Sequence, residues 1–236
     1  MYSRGEKGFT RYELIAVGAV VTILVLALYP AIMRAAHVSG SVIARIKARQ
    51  IWAQVIGANA EREPWGLPPV WPRDLGFDAT RTSTEYFRLL MSDDPAAASN
   101  GVHRPICEGL QPMWFGCRNS GIPCADSIAH FTSANNAWQV ICVGAETSTE
   151  KTAFLVTRNV DMGAHVNKRT TLKLNNKSSF STPAYETPNG VFITCGGACF
   201  DLPEKYLNCG LQGSPSYGTG LLNGLDTNIT YDVMQP

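Results

Sequence analysis

Twenty consecutive residues, Leu14 to Met33 (LIAVGAVVTILVLALYPAIM), carry no charge. As an α-helix rising 1.5 Å per residue, such a run spans about 30 Å, the thickness of a bilayer's hydrocarbon core. No later stretch is comparable, which predicts one membrane-inserting segment and a soluble remainder beyond Arg34. After Met33 the pattern turns amphipathic. Ala35, Val38, Val42, Ile46, Ala53 and Ile56 recur near helical spacing, while Arg34, Arg45, Lys47 and Arg49 fall mostly off that stripe. The first strong stop is the stretch from Glu61 to Pro72, which holds Pro64, Pro68, Pro69 and Pro72. The pattern predicts one helix from Phe9 to about Ala60. Pro30 removes one of its hydrogen bonds and should bend or loosen it, and Gly40 is a second weak point.

Beyond the prolines, Thr82 and Glu85 form a capping box that starts a short helix over 83–92, ended by Asp93-Asp94-Pro95. Residues 95–127 read as a long loop, a length that is uncommon in a compact domain without a clamp. Apolar, β-branched runs predict strands at 137–143 and 153–157, and weaker ones at 170–174 and 191–194. The segments 175–189 and 201–236 are rich in Gly, Pro, Asn and Ser and read as loops. The fold class expected is α+β, a long N-terminal helix with its second half against a small antiparallel sheet.

Composition narrows the function. With 45% hydrophobic and 17% charged residues the chain is too apolar for disorder. A net charge of +1 lacks the basic excess of a nucleic-acid binder, so no nucleic-acid partner is expected. Charges flank the apolar run on both sides: Arg4, Lys7 and Arg11 before it, Arg34, Arg45, Lys47 and Arg49 after it. The positive-inside rule therefore assigns no orientation. A cleaved secretory signal has a shorter apolar core, and Pro30 and Met33 crowd the place of its cleavage site.

The residues ahead of the run are Lys7-Gly8-Phe9-Thr10-Arg11-Tyr12-Glu13. Here the sequence resembles the prepilin-type signal of type IV pilins and type II secretion pseudopilins. That family has a short basic leader ending in Gly, a cut before Phe, Glu as the fifth mature residue and commonly Pro as the twenty-second. Gly8, Phe9, Glu13 and Pro30 match in one register; Arg11 and Tyr12 depart from the two aliphatic residues common there. The resemblance implies four segments: a leader at 1–8, a membrane and filament-core half-helix at 9–33, an amphipathic half-helix at 34–60, and an α+β head at 61–236. It implies a pilin-like fold and a structural subunit that is not an enzyme. Its partners would be a prepilin peptidase cutting between Gly8 and Phe9, an inner-membrane assembly platform, membrane lipid before assembly, and further copies in a helical filament. Phe9, Glu13 and Pro30 would be assembly residues, with Glu13 neutralising the methylated amine of Phe9 on a neighbour. The location implied is the bacterial inner membrane, single pass with the head outside the cytoplasm, then a periplasmic or cell-surface filament. The segments 71–91, 131–144 and 153–160 are similar to head segments of pseudopilin-like proteins. The alternative is a membrane-anchored module that binds an extracytoplasmic ligand without polymerising.

Seven cysteines are present. In a head outside the cytoplasm, the loop residues Cys107, Cys117, Cys124, Cys195, Cys199 and Cys209 are expected to pair, within each trio and once between them. Cys142, in an apolar strand, is the expected buried free thiol. The rival is a zinc site from His103, Cys107, Cys117 and Cys124, although no CxxC knuckle supports it. Asn223, Asp226, Asn228 and Asp232 offer oxygen ligands to calcium in the C-terminal loop, but an ordinary turn explains them equally, so no cofactor is assigned. Trp65, Trp71, Tyr86 and Phe87 read as core packing, with a carbohydrate platform as the sharper alternative.

Overall fold

The computed structural model describes residues 11–94, 104–116, 122–167, 172–174, 189–203, 225 and 229–236; at 30–41, 173, 174, 189, 202 and 203 it describes the backbone alone. The chain divides into two compact units, Met1–Ser39 and Gly40–Pro236. The class is α+β, a mixture of helix and antiparallel sheet.

Helix α1 (Arg11–Arg62) contains 52 residues. Its backbone stays helical through Pro30 and Gly40. A proline costs an established helix one hydrogen bond, and here the turns on either side continue. The stop falls where the prolines begin. A single 3-10 turn, Glu63–Trp65, follows, and Gly66 takes the left-handed conformation (φ 64°) while its N–H bonds back to Glu63 O. Leu67 N–H closes on Arg62 O at 3.2 Å.

The buried stripe of the second unit's helix is not the expected one. Ala44, Ala48, Ile51, Val55 and Ala58 are buried, whereas Ile46 is 52% exposed and Ala53 lies on the outer face. Val42 and Ile56 are half-buried. The spacing of four, three, four and three residues is that of one helix face, but alanine occupies three of its five places. Alanine stands on both stripes, so the pattern of apolar positions does not by itself set the phase; the side chains of Ala35 and Val38 lie outside the described residues. Trp52, at the flank, donates its indole N–H to Cys195 O at 2.8 Å.

Helix α2 (Ser83–Met91) starts at the expected capping box. Glu85 N–H donates to Thr82 Oγ1 at 3.1 Å, and Thr82 N–H donates to Glu85 Oε2 at 2.9 Å. Tyr86, Phe87, Leu90 and Met91 face the core. Its N-terminus is tied to the sheet by buried polar groups. Ser83 Oγ donates to Trp138 O at 2.7 Å, and Asn136 Nδ2 donates to Ser83 Oγ and Thr84 Oγ1.

The strands are β1 (Trp138–Ile141), β2 (Ala153–Thr157), β3 (Val160–Asp161), β4 (His165–Val166), β5 (Lys173–Leu174), β6 (Asn189–Thr194), β7 (Cys199–Pro203) and β8 (Tyr231–Met234). Six form one antiparallel sheet in the order β4-β8-β1-β2-β6-β7, and β3 pairs with β5. β1 and β2 are buried along their whole length, so both faces of the sheet centre are covered. The strand expected at 170–174 is only the two-residue β5. β8 and the last three residues of β7 fall inside the stretch 201–236, expected as loop. β8 lies between β1 and β4, with Val140 opposite Met234 and His165 opposite Asp232.

Among the described residues, the clamp on the segment after α2 is non-covalent. Asp94 N–H bonds to Arg104 O, Ile106 N–H to Ser92 O and Cys107 N–H to Leu90 O. Arg62 and Asp94 form an ion pair buried to 7% and 6% exposure, and Arg62 Nε also donates to Pro68 O at 2.9 Å. Phe115 sits between Phe87 and Phe131, with ring centroids 4.3 and 4.8 Å apart.

Removing one member of a buried ion pair leaves the other charge without compensation, at about 3–5 kcal/mol. Arg62→Ala is expected to lower the thermal midpoint by roughly 6–20 °C, on the scale of about 2–4 °C per kcal/mol for a chain of this size. Asp94→Ala added to Arg62→Ala should recover part of that loss. A single variant melting with the parent protein would show that the pair does not hold the helix end to the loop.

Candidate functional site

The most distinctive chemistry lies in the first half of α1. Arg11–Tyr29 form 19 residues of mean hydropathy 2.2, none of them buried. The segment is long and apolar enough to cross a membrane or to serve as a signal sequence. Twelve large apolar or aromatic side chains from Tyr12 to Tyr29 are more than half exposed, from Val17 at 51% to Tyr12 at 85%. Each full burial of such a side chain stabilises by about 1.5–3 kcal/mol, so leaving this surface in water forgoes on the order of 10–20 kcal/mol.

Polar groups in the segment are few. Thr22 Oγ1 donates to Gly18 O, one turn back, at 2.8 Å. That bond satisfies the hydroxyl inside the helix and makes the residue compatible with an apolar surrounding. Glu13 is exposed in the first turn of α1, where the helix dipole favours a carboxylate. Pro30 continues the helical backbone. Gly8 and Phe9, the expected cleavage pair, lie outside the described residues.

The cysteines do not follow the expectation of disulfides. Cys107, Cys124, Cys142, Cys195 and Cys199 are free thiols, so no bridge joins any of the five; Cys117 and Cys209 lie outside the described residues. The thiols occupy packing positions. Cys107 is pinned by its own N–H to the last turn of α2, and Cys142 N–H bonds to Asp232 O in β8. Cys195 and Cys199 bracket the β6–β7 hairpin turn, where Gly197 (φ 82°) leaves room for the Trp52 ring. Cys124 Sγ lies 3.7 Å from Lys47 Nζ, which also donates to Met113 O and Gly116 O. Burial pushes the thiols of Cys107, Cys142 and Cys195 up to about 12 and that of Cys199 to about 11. A thiol held in its neutral form is a poor nucleophile and a poor metal ligand near neutral pH. Cys142 is buried and free, as its place in an apolar run suggested.

The remaining candidates scatter. Trp71, Tyr86 and Phe87 are in the core and Trp65 is 75% exposed, so the four aromatics make no common platform. Asp232 is the one described member of the calcium set; its Oδ1 meets His165 Nδ1 at 2.8 Å. His103, Asn223, Asp226 and Asn228 lie outside the described residues. Among the described residues no three His, Cys, Asp or Glu side chains gather into a metal-binding group. His130 pairs with Asp126 on the surface at 2.7 Å. No family model, curated protein or solved structure matches the chain.

The thiol environments generate a pH dependence. Each folded thiol pKa is raised above the ordinary 9, so folding is undisturbed below pH 9 and is weakened as the unfolded chain ionises first, up to pH about 11–12. Each thiol removes about 1.4 kcal/mol per pH unit in that window. Urea midpoints should be flat toward pH 9 and then fall. Thiol titration of the denatured, unreduced chain should find at least the five described groups, with Cys107, Cys142 and Cys195 slow to react in the folded state. A denatured count of one or two would mean that the cysteines are bridged.

Proposed function

We propose that the chain is a structural subunit of a type IV pilus-like or type II secretion filament, inserted in the inner membrane by the first half of α1 and processed between Gly8 and Phe9. The observation that carries this reading is the pairing of a wholly exposed apolar helix with a carboxylate in its first turn. A plain anchor needs the apolar helix alone; the resemblance at Gly8, Phe9, Glu13 and Pro30 gives the carboxylate a role as well. In an assembly of parallel helices that role would be to meet the amine freed on a neighbouring copy. The apolar surface that lipid covers in the monomer is covered by other copies in the filament. The second half of α1 supports the reading as well: the head packs on it through the Ala44–Ala58 face, so the anchoring helix is also a structural member of the head.

Processing is tested with Gly8→Leu. A β-carbon at this position blocks the close backbone approach that the peptidase requires, and on coexpression with a prepilin peptidase the mass of the leader should be retained. A mature N-terminus still starting at Phe9 would place the cut by another determinant. Absence of any cleavage of the parent chain removes the filament reading and leaves the anchored binding module.

Assembly is tested with Glu13→Ala. The change removes a charge from the apolar segment, so membrane insertion and cleavage should persist. In the filament it leaves the neighbour's amine unpaired among apolar helices, at about 3–5 kcal/mol, more than a hundredfold in an addition equilibrium. The expected result is processed monomer with few or no sheared filaments, and Glu13→Gln should fall between. A normal filament yield from Glu13→Ala would take assembly away from this residue.

A further inference from the structure

Tyr12 and Tyr29 are the only aromatic residues from Thr10 to Met33, and they stand at the two ends of the segment that has no buried residue. Their side chains are 85% and 61% exposed. Along the continuous helix their levels are about 25 Å apart. From Leu14 to Leu28 the only polar side chain is Thr22, whose hydroxyl is satisfied by Gly18 O. Ile23, Leu24, Val25 and Leu26 are successive and all more than half exposed. Four successive positions go once round a helix of 3.6 residues per turn, so the apolar surface faces every side. Acyl chains cover all sides of such a helix, whereas one neighbouring helix covers a single seam.

At the Tyr12 end, charge sets the limit of the hydrocarbon, because Arg11 and Glu13 flank the tyrosine. A phenol has an apolar ring and a polar tip, which suits the headgroup layer. At the other end two limits compete: Tyr29, and Arg34, the first charge after the apolar run. A boundary at Arg34 places about 33 Å of helix across a hydrocarbon core of about 30 Å, and it sets Pro30 inside that core. Pro30 brings no N–H to the carbonyl of Leu26, and the backbone stays helical there, so that oxygen lacks its usual donor. Hydrocarbon holds no water to replace it, and the Thr22 hydroxyl is committed elsewhere. A boundary at Tyr29 leaves Leu26 less than one turn from the headgroup layer, where water reaches it. What this placement requires is a bilayer thinner by a few ångströms, a modest demand beside an unsatisfied carbonyl in lipid.

We propose that the bilayer around the monomer ends at Tyr29 and not at Arg34: Tyr12 and Tyr29 occupy the two headgroup layers, phospholipid covers the side chains between them, and the helix from Pro30 onward stands outside the hydrocarbon. The inference rests on the membrane insertion proposed above and is independent of filament assembly. It shortens the spanning part of the apolar run and leaves Ala31, Ile32 and Met33 beyond it.

The test uses the full chain grown with fluorotyrosine in place of tyrosine. It is reconstituted with oleoyl phosphatidylethanolamine and phosphatidylglycerol, in vesicles for flotation and in nanodiscs for fluorine resonance. Tyr12→Phe and Tyr29→Phe each remove one resonance and so assign the pair. A gadolinium chelate relaxes groups near water, and dissolved oxygen relaxes those in hydrocarbon. The parent chain should float with the vesicles, and gadolinium should relax the Tyr12 and Tyr29 resonances to a similar degree. Val21→Tyr should add a resonance that gadolinium relaxes several-fold less and oxygen more. If Val21→Tyr does not insert, the ratio of Tyr29 to Tyr12 in the parent chain decides. A Tyr29 resonance relaxed by gadolinium several-fold less than that of Tyr12 would move the boundary beyond Pro30 and overturn the proposal, with insertion intact. Weak relaxation of Tyr29 by both agents would mean that another copy covers it, which overturns the proposal as well. A parent chain left behind when the vesicles float would remove membrane insertion itself.

Discussion

The head is built on one narrow face of a helix. Ala44, Ala48, Ile51, Val55 and Ala58 are all at most 5% exposed, and three of the five are alanines. Small side chains let neighbouring backbone approach a helix closely, and at that distance the flanking groups must be exact in size. Trp52 shows the consequence. Its indole N–H reaches a backbone oxygen of the β6–β7 turn, and its ring fills the place where Gly197 has no β-carbon; one added there would meet the ring at 2.8 Å. Interiors at near-crystalline density transmit such constraints, because a single methylene has nowhere to go. The helix from Gly40 onward is thereby the wall against which the second unit packs.

Polar interactions inside this head determine which pieces meet. The Arg62–Asp94 pair joins the end of α1 to the segment after α2, and Asn136 joins the start of α2 to the start of β1 through Ser83, Thr84 and the Trp138 N–H. Burying charges is costly in itself, so such a pair is better understood as specifying geometry than as adding stability. These contacts do the work for which disulfides seemed necessary. Backbone hydrogen bonds, a buried ion pair and a row of packed rings hold the described part of this loop, and its free thiol Cys107 serves as a small apolar residue.

The two halves of α1 pose opposite physical problems. The half from Gly40 onward has its apolar face covered by its own head. The half from Arg11 to Tyr29 has no buried residue. An exposed apolar surface of this extent demands a partner, lipid or protein, as large patches on folded proteins generally do. The filament proposal supplies both in succession.

The extent of α1, the capping box of α2 and the strand at 153–157 were legible in the sequence because each is a local decision. A twenty-residue apolar run, a Thr-x-x-Glu sequence and a short β-branched run bounded by turns carry their own hydrogen-bonding instructions. The apolar segment was legible for the same reason, and so was the part of Cys142. What the tertiary structure decided is non-local. The side of α1 that is buried was settled by what packs there, since alanine is apolar enough for either face. β8, four residues long in a polar tail, is a strand only because β1 and β4 offer hydrogen-bonding edges on both sides. The thiol state of Cys107, Cys124, Cys195 and Cys199 depends on which chain segments come together, and spacing along a sequence is blind to that.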